Sequence, residues 1–197
     1  RSEVQARGME IPDMQGLRDW IRRETKLGNP ALEAELQQNP DPDLELALQW
    51  SHGVNRSVEE IVFNLPPFPY LTKSLQKLQG QADVIVVSQT PLEALQREWQ
   101  EHNIDGYTRL IAGQEMGTKS EHISLAADGK YLADHILMIG DAPGDLRAAQ
   151  NNGARFYPII PGREEQSWQR FYEEGLERFL NGTFRGEYEQ RLAAEFD

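Results

Sequence analysis

One stretch constrains this chain more than any other: Ile136-Leu137-Met138-Ile139-Gly140-Asp141-Ala142-Pro143-Gly144-Asp145. An apolar run ends in Gly-Asp, and a second Asp follows four residues on. A continuous apolar run reads as a strand buried on both faces, the kind found in parallel sheets covered by helices. Such a strand delivers two carboxylates to its carboxyl end, where open α/β sheets place their ligands. Paired carboxylates there suit a hard cation that keeps some of its water.

The surrounding pattern supplies the sheet. Strands are expected at Ala82–Ser88, Tyr107–Ala112, His135–Gly140 and Ala154–Ile160. Helices are expected at Tyr70–Leu78, Pro91–Glu101, Lys119–Asp128 and from Ala142 or Pro143 to Asn151, with polar helices from Glu164 to Phe196. Pro91 at a first turn and Gly153 after a last turn fit helix boundaries. Strands alternating with helices predict an α/β fold with a doubly wound parallel sheet.

Upstream the period is different. Leu17, Trp20, Ile21, Leu32 and Leu36 recur at helical spacing. Asp43–Trp50 reads as one helix. Ser57–Asn64 reads as the next, opened by Ser57-Val58-Glu59-Glu60 in capping-box spacing. The stiff segment Leu65-Pro66-Pro67-Phe68-Pro69 then divides the chain. Residues 1–65 are expected to form a small all-helical cap-like unit, and residues 66–197 an α/β core with C-terminal helices.

Charge and composition narrow the partners. The net charge is −12 over 197 residues, which repels nucleic acid and anionic membranes. It leaves room for a small phosphorylated molecule, because a bound cation inverts the local field. There is no cysteine, so thiolate metal sites and a cysteine nucleophile are excluded. With no spanning run or signal peptide visible, the expected location is cytoplasmic.

Three features meet at the strand ends. Ser88 follows the β-branched run and opens Ser88-Gln89-Thr90-Pro91 directly before a helix, a place where a hydroxyl and backbone N–H groups cradle anions. Ser88 also suits a plain N-cap. Lys119 sits in Gly117-Thr118-Lys119-Ser120, where a cation at a helix start calls for an anion beside it. Asp141 and Asp145 flank the Pro-Gly turn.

In this order the three resemble the motifs of haloacid dehalogenase-like (HAD) hydrolases. The resemblance covers about Leu65 to Ile160. It implies a Rossmann-like core, with the helical segment as its cap. It implies a Mg²⁺-dependent phosphatase working through an aspartyl-phosphate. Ser88 and Gln89 would bind phosphate, Ser88 and Lys119 would serve catalysis, and Asp141 and Asp145 would hold Mg²⁺. The metal-site pair favours phosphoryl chemistry over dehalogenation.

The family's first motif, a nucleophilic Asp-x-Asp after the first strand, has no match. Asp41-Pro42-Asp43 has the letters, but a turn precedes it rather than an apolar strand. Asp13 has neither a strand before it nor a second Asp. In the family that strand runs between the one ending at Ser88 and the one ending at Gly140, so the first core strand is missing here. It is expected first upstream of Arg1, and next to be replaced by altered sheet pairing or a strand from a partner; the chain as written is expected to be inactive. The alternatives are a non-catalytic ligand-binding or regulatory module and an unrelated response-regulator-like domain. The substrate and the oligomeric state are not encoded legibly. Trp20, Trp50, His52 and Arg56 are cap candidates for substrate selection only by position.

Overall fold

The computed structural model describes residues 12–24, 27–61, 64–127 and 129–196. Residues 1–11 and Asp128, the expected end of one helix, lie outside the described residues. The chain divides into two compact units, 1–63 and 64–197.

The first unit is helical: α1 (Gln15–Arg23), α2 (Asn29–Gln38) and α3 (Pro42–Ile61). Trp20, Leu32 and Leu44 form its core, with Leu17, Leu36 and Leu48 packed around them. Asp41 caps α3: its Oδ1 accepts the N–H of Asp43 at 2.8 Å, and Pro42 stands at the first helical position, where its missing N–H costs nothing. Asp43 in turn accepts the Gly16 N–H at 2.8 Å. Both carboxylates of Asp41-Pro42-Asp43 therefore tie helix starts together. The two helices expected at Asp43–Trp50 and Ser57–Asn64 are one, which runs to Ile61; residues 62–63 lie outside the described residues. Nothing between Ser51 and Arg56 breaks the backbone ladder, so Ser57 lies mid-helix instead of capping a new one.

The second unit alternates α4 (Leu71–Leu78), β1 (Ile85–Val87), α5 (Leu92–Glu101), β2 (Leu110–Ala112), α6 (Lys119–Ala127), β3 (Leu137–Gly140), α7 (Pro143–Asn151) and β4 (Arg155–Pro158). Helices α8 (Glu164–Arg170), α9 (Leu176–Leu180) and α10 (Glu187–Phe196) complete it. A π-turn at Phe171–Gly175 joins α8 to α9. A side chain at Gly175 would meet Tyr157 at 2.9 Å, so the turn passes over the ring only because it carries none.

The unit is mixed α/β with parallel pairing, and the strands are shorter than their apolar runs. The single expected sheet is two: β1 pairs with β2, and β3 pairs with β4, each in parallel. Leu137 and Ile139 pack on one core with Val84, Tyr157, Phe171, Leu176 and Leu192. Ile136 and Met138 pack on the other with Val87, Ile123, Ala148 and Phe156. Strand side chains alternate between faces, so β1 and β3 contribute to the same two apolar layers.

Backbone direction shows which edges are used. Val84 and Ser88 bond to β2, through Arg109 N–H to Val84 C=O at 2.8 Å and Ser88 N–H to Ala112 C=O at 3.0 Å. Ile136 and Gly140 bond to the β4 segment in the same way, accepting from Arg155 and Ile159 at 2.8 Å each. In a parallel ladder the intervening residues face the other way. The N–H and C=O groups of Ile85, Val87, Leu137 and Ile139 therefore point to edges that no strand pairs among the described residues.

Candidate functional site

The carboxyl ends of β1 and β3 and the loop after β2 converge. Each strand ends in a short turn that begins a helix, which brings helix starts and polar side chains to one end of the sheets.

At the end of β3, Gly140 makes the close approach possible. A Cβ there would lie 2.3 Å from Asp145 Oδ2. Asp145 is 1% exposed and sits in the first turn of α7. Its Oδ2 accepts the N–H groups of Asp141 and Ala142, each at 3.1 Å. Its Oδ1 accepts from the Lys119 ammonium. The cation at the start of α6 thus has its anion, and two separate strand–helix turns are joined by one partly buried ion pair. Asp141, next to Gly140, is exposed. Its backbone N–H is held by Asp145, and its carboxylate makes no hydrogen bond or ion pair among the described residues.

The β1 turn is tied in from the other side. Ser88 is half-buried, and its hydroxyl oxygen accepts the Thr90 N–H at 3.1 Å. The hydroxyl hydrogen is left to donate. Gln89 is exposed and donates its amide to the Gly117 C=O at 3.2 Å, two residues before Lys119. The Gln114 N–H reaches back to the Thr90 C=O at 3.1 Å, and Glu115 accepts the Leu92 N–H at the start of α5 at 3.1 Å.

The structure therefore links Ser88 and Gln89 to the Lys119 loop, and Lys119 to Asp145 and Asp141. It gives the two aspartates different surroundings. Asp145 is buried and fully engaged, while Asp141 faces solvent. Among the described residues no cluster of three or more His, Asp or Glu is placed to hold a metal. Asp141 is a free carboxylate of the kind Mg²⁺ uses, one or two of which suffice when water and phosphate complete the shell.

Two features were not read from the sequence. Thr118 and Glu121 form a reciprocal cap, with Glu121 accepting the Thr118 N–H at 2.7 Å and the Thr118 hydroxyl accepting the Glu121 N–H at 3.2 Å. The Thr-x-x-Glu spacing carried that signal. His122, 6% exposed, has neither ring nitrogen hydrogen-bonded among the described residues. Its Nε2 lies 3.6 Å from where a Gly117 Cβ would stand, and no spacing rule flags it.

Among the described residues no helix is long and apolar enough to cross a membrane. No protein-family model, curated protein or solved structure matches the chain.

Proposed function

We propose that this chain carries the phosphate- and cation-binding end of a HAD-like, Mg²⁺-dependent phosphatase acting on a small phosphorylated molecule. The observation that supports the reading is the Lys119–Asp145 ion pair, whose Asp145 also accepts the Asp141 N–H, together with the Gln89–Gly117 bond that ties the Ser88 turn to the loop before Lys119. Phosphoryl transfer needs little more from a protein than positioning and charge stabilisation. The Ser88 hydroxyl, with its hydrogen free to donate, would bind a phosphoryl oxygen, and the Gln89 amide would do so on leaving the Gly117 C=O. Lys119, held by Asp145, supplies positive charge. Asp141 holds the cation, with Asp145 orienting it through its backbone N–H. Bound Mg²⁺ would neutralise charge on the phosphoryl oxygens.

The unpaired edges of β1 and β3 support the same reading. A strand between them would join the two pairs into one doubly wound sheet. It would end beside Ser88 and Asp141, where a carboxylate on it could attack phosphorus, expel the substrate alkoxide and then be released by water. Asp41 and Asp43 are committed to helix starts. A cytoplasmic location and a lack of nucleic-acid or membrane partners belong to this reading, supported by the acidic charge and the lack of cysteine.

The test is hydrolysis of p-nitrophenyl phosphate by the natural gene product, its mass and N-terminus determined. The expected result is Mg²⁺-dependent turnover abolished by Asp141→Asn and by Lys119→Met. Turnover indifferent to Asp141→Asn refutes the proposal. A second reading, a ligand-binding module without catalysis, is favoured by the engagement of Asp41 and Asp43. Phosphate that raises the melting temperature of that product without any turnover would select it.

A further inference from the structure

The sequence sets glycine after asparagine twice, at Asn152-Gly153 and at Asn181-Gly182. Asparagine is a thermolabile residue, and a following glycine leaves its backbone nitrogen open to the side-chain amide before it, because no Cβ stands in the way. The fold treats the two pairs oppositely. Asn152 is half-buried, and its Nδ2 donates to Ser120 C=O, Ser120 Oγ and Ala148 C=O at 3.1, 3.0 and 2.8 Å. That amide fastens the end of α7 to α6. Asn181, Gly182 and Thr183 are all exposed, just past α9. The Asn181 Oδ1 accepts the Thr183 N–H at 3.1 Å and the Thr183 hydroxyl at 2.5 Å, while its Nδ2 has no partner among the described residues.

We propose that Asn181 is a site of spontaneous deamidation, with water as the co-reactant, that loosens the aromatic core beside it. The Gly182 nitrogen gives its proton to solvent and bonds to Asn181 Cγ. The Cγ–Nδ2 bond breaks and ammonia leaves. Water then opens the cyclic imide at either carbonyl, leaving aspartate or isoaspartate. Two donors on Oδ1 stabilise the charge that gathers there during the attack, and the leaving amide is unheld. The turn bond from Gly182 N–H to Phe179 C=O, at 3.2 Å, must open first. A Cβ at Gly182 would meet nothing within 4 Å, so the peptide turns without a clash, and exposed turns at helix ends open readily. The Thr183 N–H also donates to the Arg178 C=O at 2.8 Å. Phe184, the next residue, is 2% exposed and packs edge-on against Phe179 and Tyr188. Isoaspartate adds a methylene to the backbone at that point. Either product puts a carboxylate at a helix C-terminus, where the dipole disfavours it.

The test is incubation of the folded chain in mildly alkaline buffer, followed by tryptic digestion and mass spectrometry. Residues 179–185 and 148–155 each fall in one tryptic peptide. The expected result is conversion of the 179–185 peptide to aspartate and isoaspartate forms. The 148–155 peptide converts at least about tenfold more slowly, because three hydrogen bonds must break to release Asn152. In urea the two convert at similar rates. The converted protein, separated by its added negative charge, melts below the intact chain. A 179–185 peptide that stays intact overturns the proposal. So do equal rates in the folded chain, a 148–155 peptide that stays slow in urea, or a converted protein that melts with the intact one.

Discussion

The Lys119–Asp145 pair makes an asymmetric prediction. The side chain of Asp145 is 2% exposed and that of Lys119 is 24% exposed. Removing one partner of a buried pair costs about 3–5 kcal/mol when the survivor has no other recourse. Lys119→Met leaves the Asp145 carboxylate with only the two N–H bonds from Asp141 and Ala142 and no route to water, so about 3 kcal/mol is expected. Asp145→Asn leaves the Asp145 carbonyl oxygen able to keep those N–H bonds, while the Lys119 ammonium swings into solvent. The loss is then a charge-assisted bond without full desolvation, about 2 kcal/mol. Because the two residues touch, the double variant is expected to fall short of the sum by about 1–2 kcal/mol. Urea denaturation at neutral pH followed by circular dichroism measures all four corners of the cycle. At about 2–4 °C per kcal/mol for a chain of this size, Lys119→Met lowers the melting temperature by roughly 6–12 °C. Additivity within about 0.5 kcal/mol, or a Lys119→Met cost below that of Asp145→Asn, would show that the pair does not bear on the fold as argued.

Two further outcomes follow from buried contacts. Gly140→Ala puts a methyl group against Asp145 Oδ2 and is expected to cost about 2–3 kcal/mol by overpacking, read as a lower urea midpoint. Tyr157 donates to the Ser167 C=O at 2.8 Å and accepts from Arg170, whereas the buried Tyr188 hydroxyl has no partner among the described residues. Tyr157→Phe is therefore expected to destabilise and Tyr188→Phe to stabilise, each by about 1 kcal/mol. Burial pushes both phenols above the usual range. A raised folded value means the unfolded chain gives up its proton first. Stability is thus whole below the unfolded value near about pH 10 and declines as pH rises above it. Loss of that alkaline decline in the double Phe variant confirms the assignment, and an unchanged decline refutes it.

The sequence carried the strand-to-helix turns well and the sheet poorly. The turns at Ser88, Lys119 and Asp141 were legible because each is written within a few residues: a β-branched run, a polar stop, a helix start. The start of α7 at Ala142 or Pro143 and the cation–anion need at Lys119 were equally local. The α3 helix was misread because Ser57-Val58-Glu59-Glu60 has capping-box spacing, and spacing alone does not say that the helix is already running through it. Strand lengths were overestimated because apolar runs mark packing, and residues such as the partly buried Val84 and the buried Ile159 pack in the core at the ends of the strands without belonging to them. The different surroundings of Asp141 and Asp145 were not legible either. They depend on Gly140 admitting Asp145 beneath the backbone, a tertiary contact.

The division into two strand pairs is the feature with the sharpest dynamic consequence. Parallel two-stranded ladders are marginal by themselves, and here each is held by the apolar layers above and below it. Ile85, Val87, Leu137 and Ile139 are only partly buried, yet their N–H and C=O groups face edges without a strand. Each such group costs about 1–3 kcal/mol if left dry, and several together rival the 5–15 kcal/mol that holds a domain together. Water must therefore reach those edges in the chain as it stands. Amide exchange should then alternate along β1 and β3. Val86, Ser88 and Met138, whose amides face a paired strand, are expected to exchange slowly. Ile85, Val87, Leu137 and Ile139 are expected to exchange faster by about two orders of magnitude, the difference between a solvated edge and a ladder that opens only with a few kcal/mol of local unfolding. Residue-resolved exchange by nuclear magnetic resonance reads this directly. Uniform protection along both strands would mean that the edges are already covered, and the argument for a strand between them would fail.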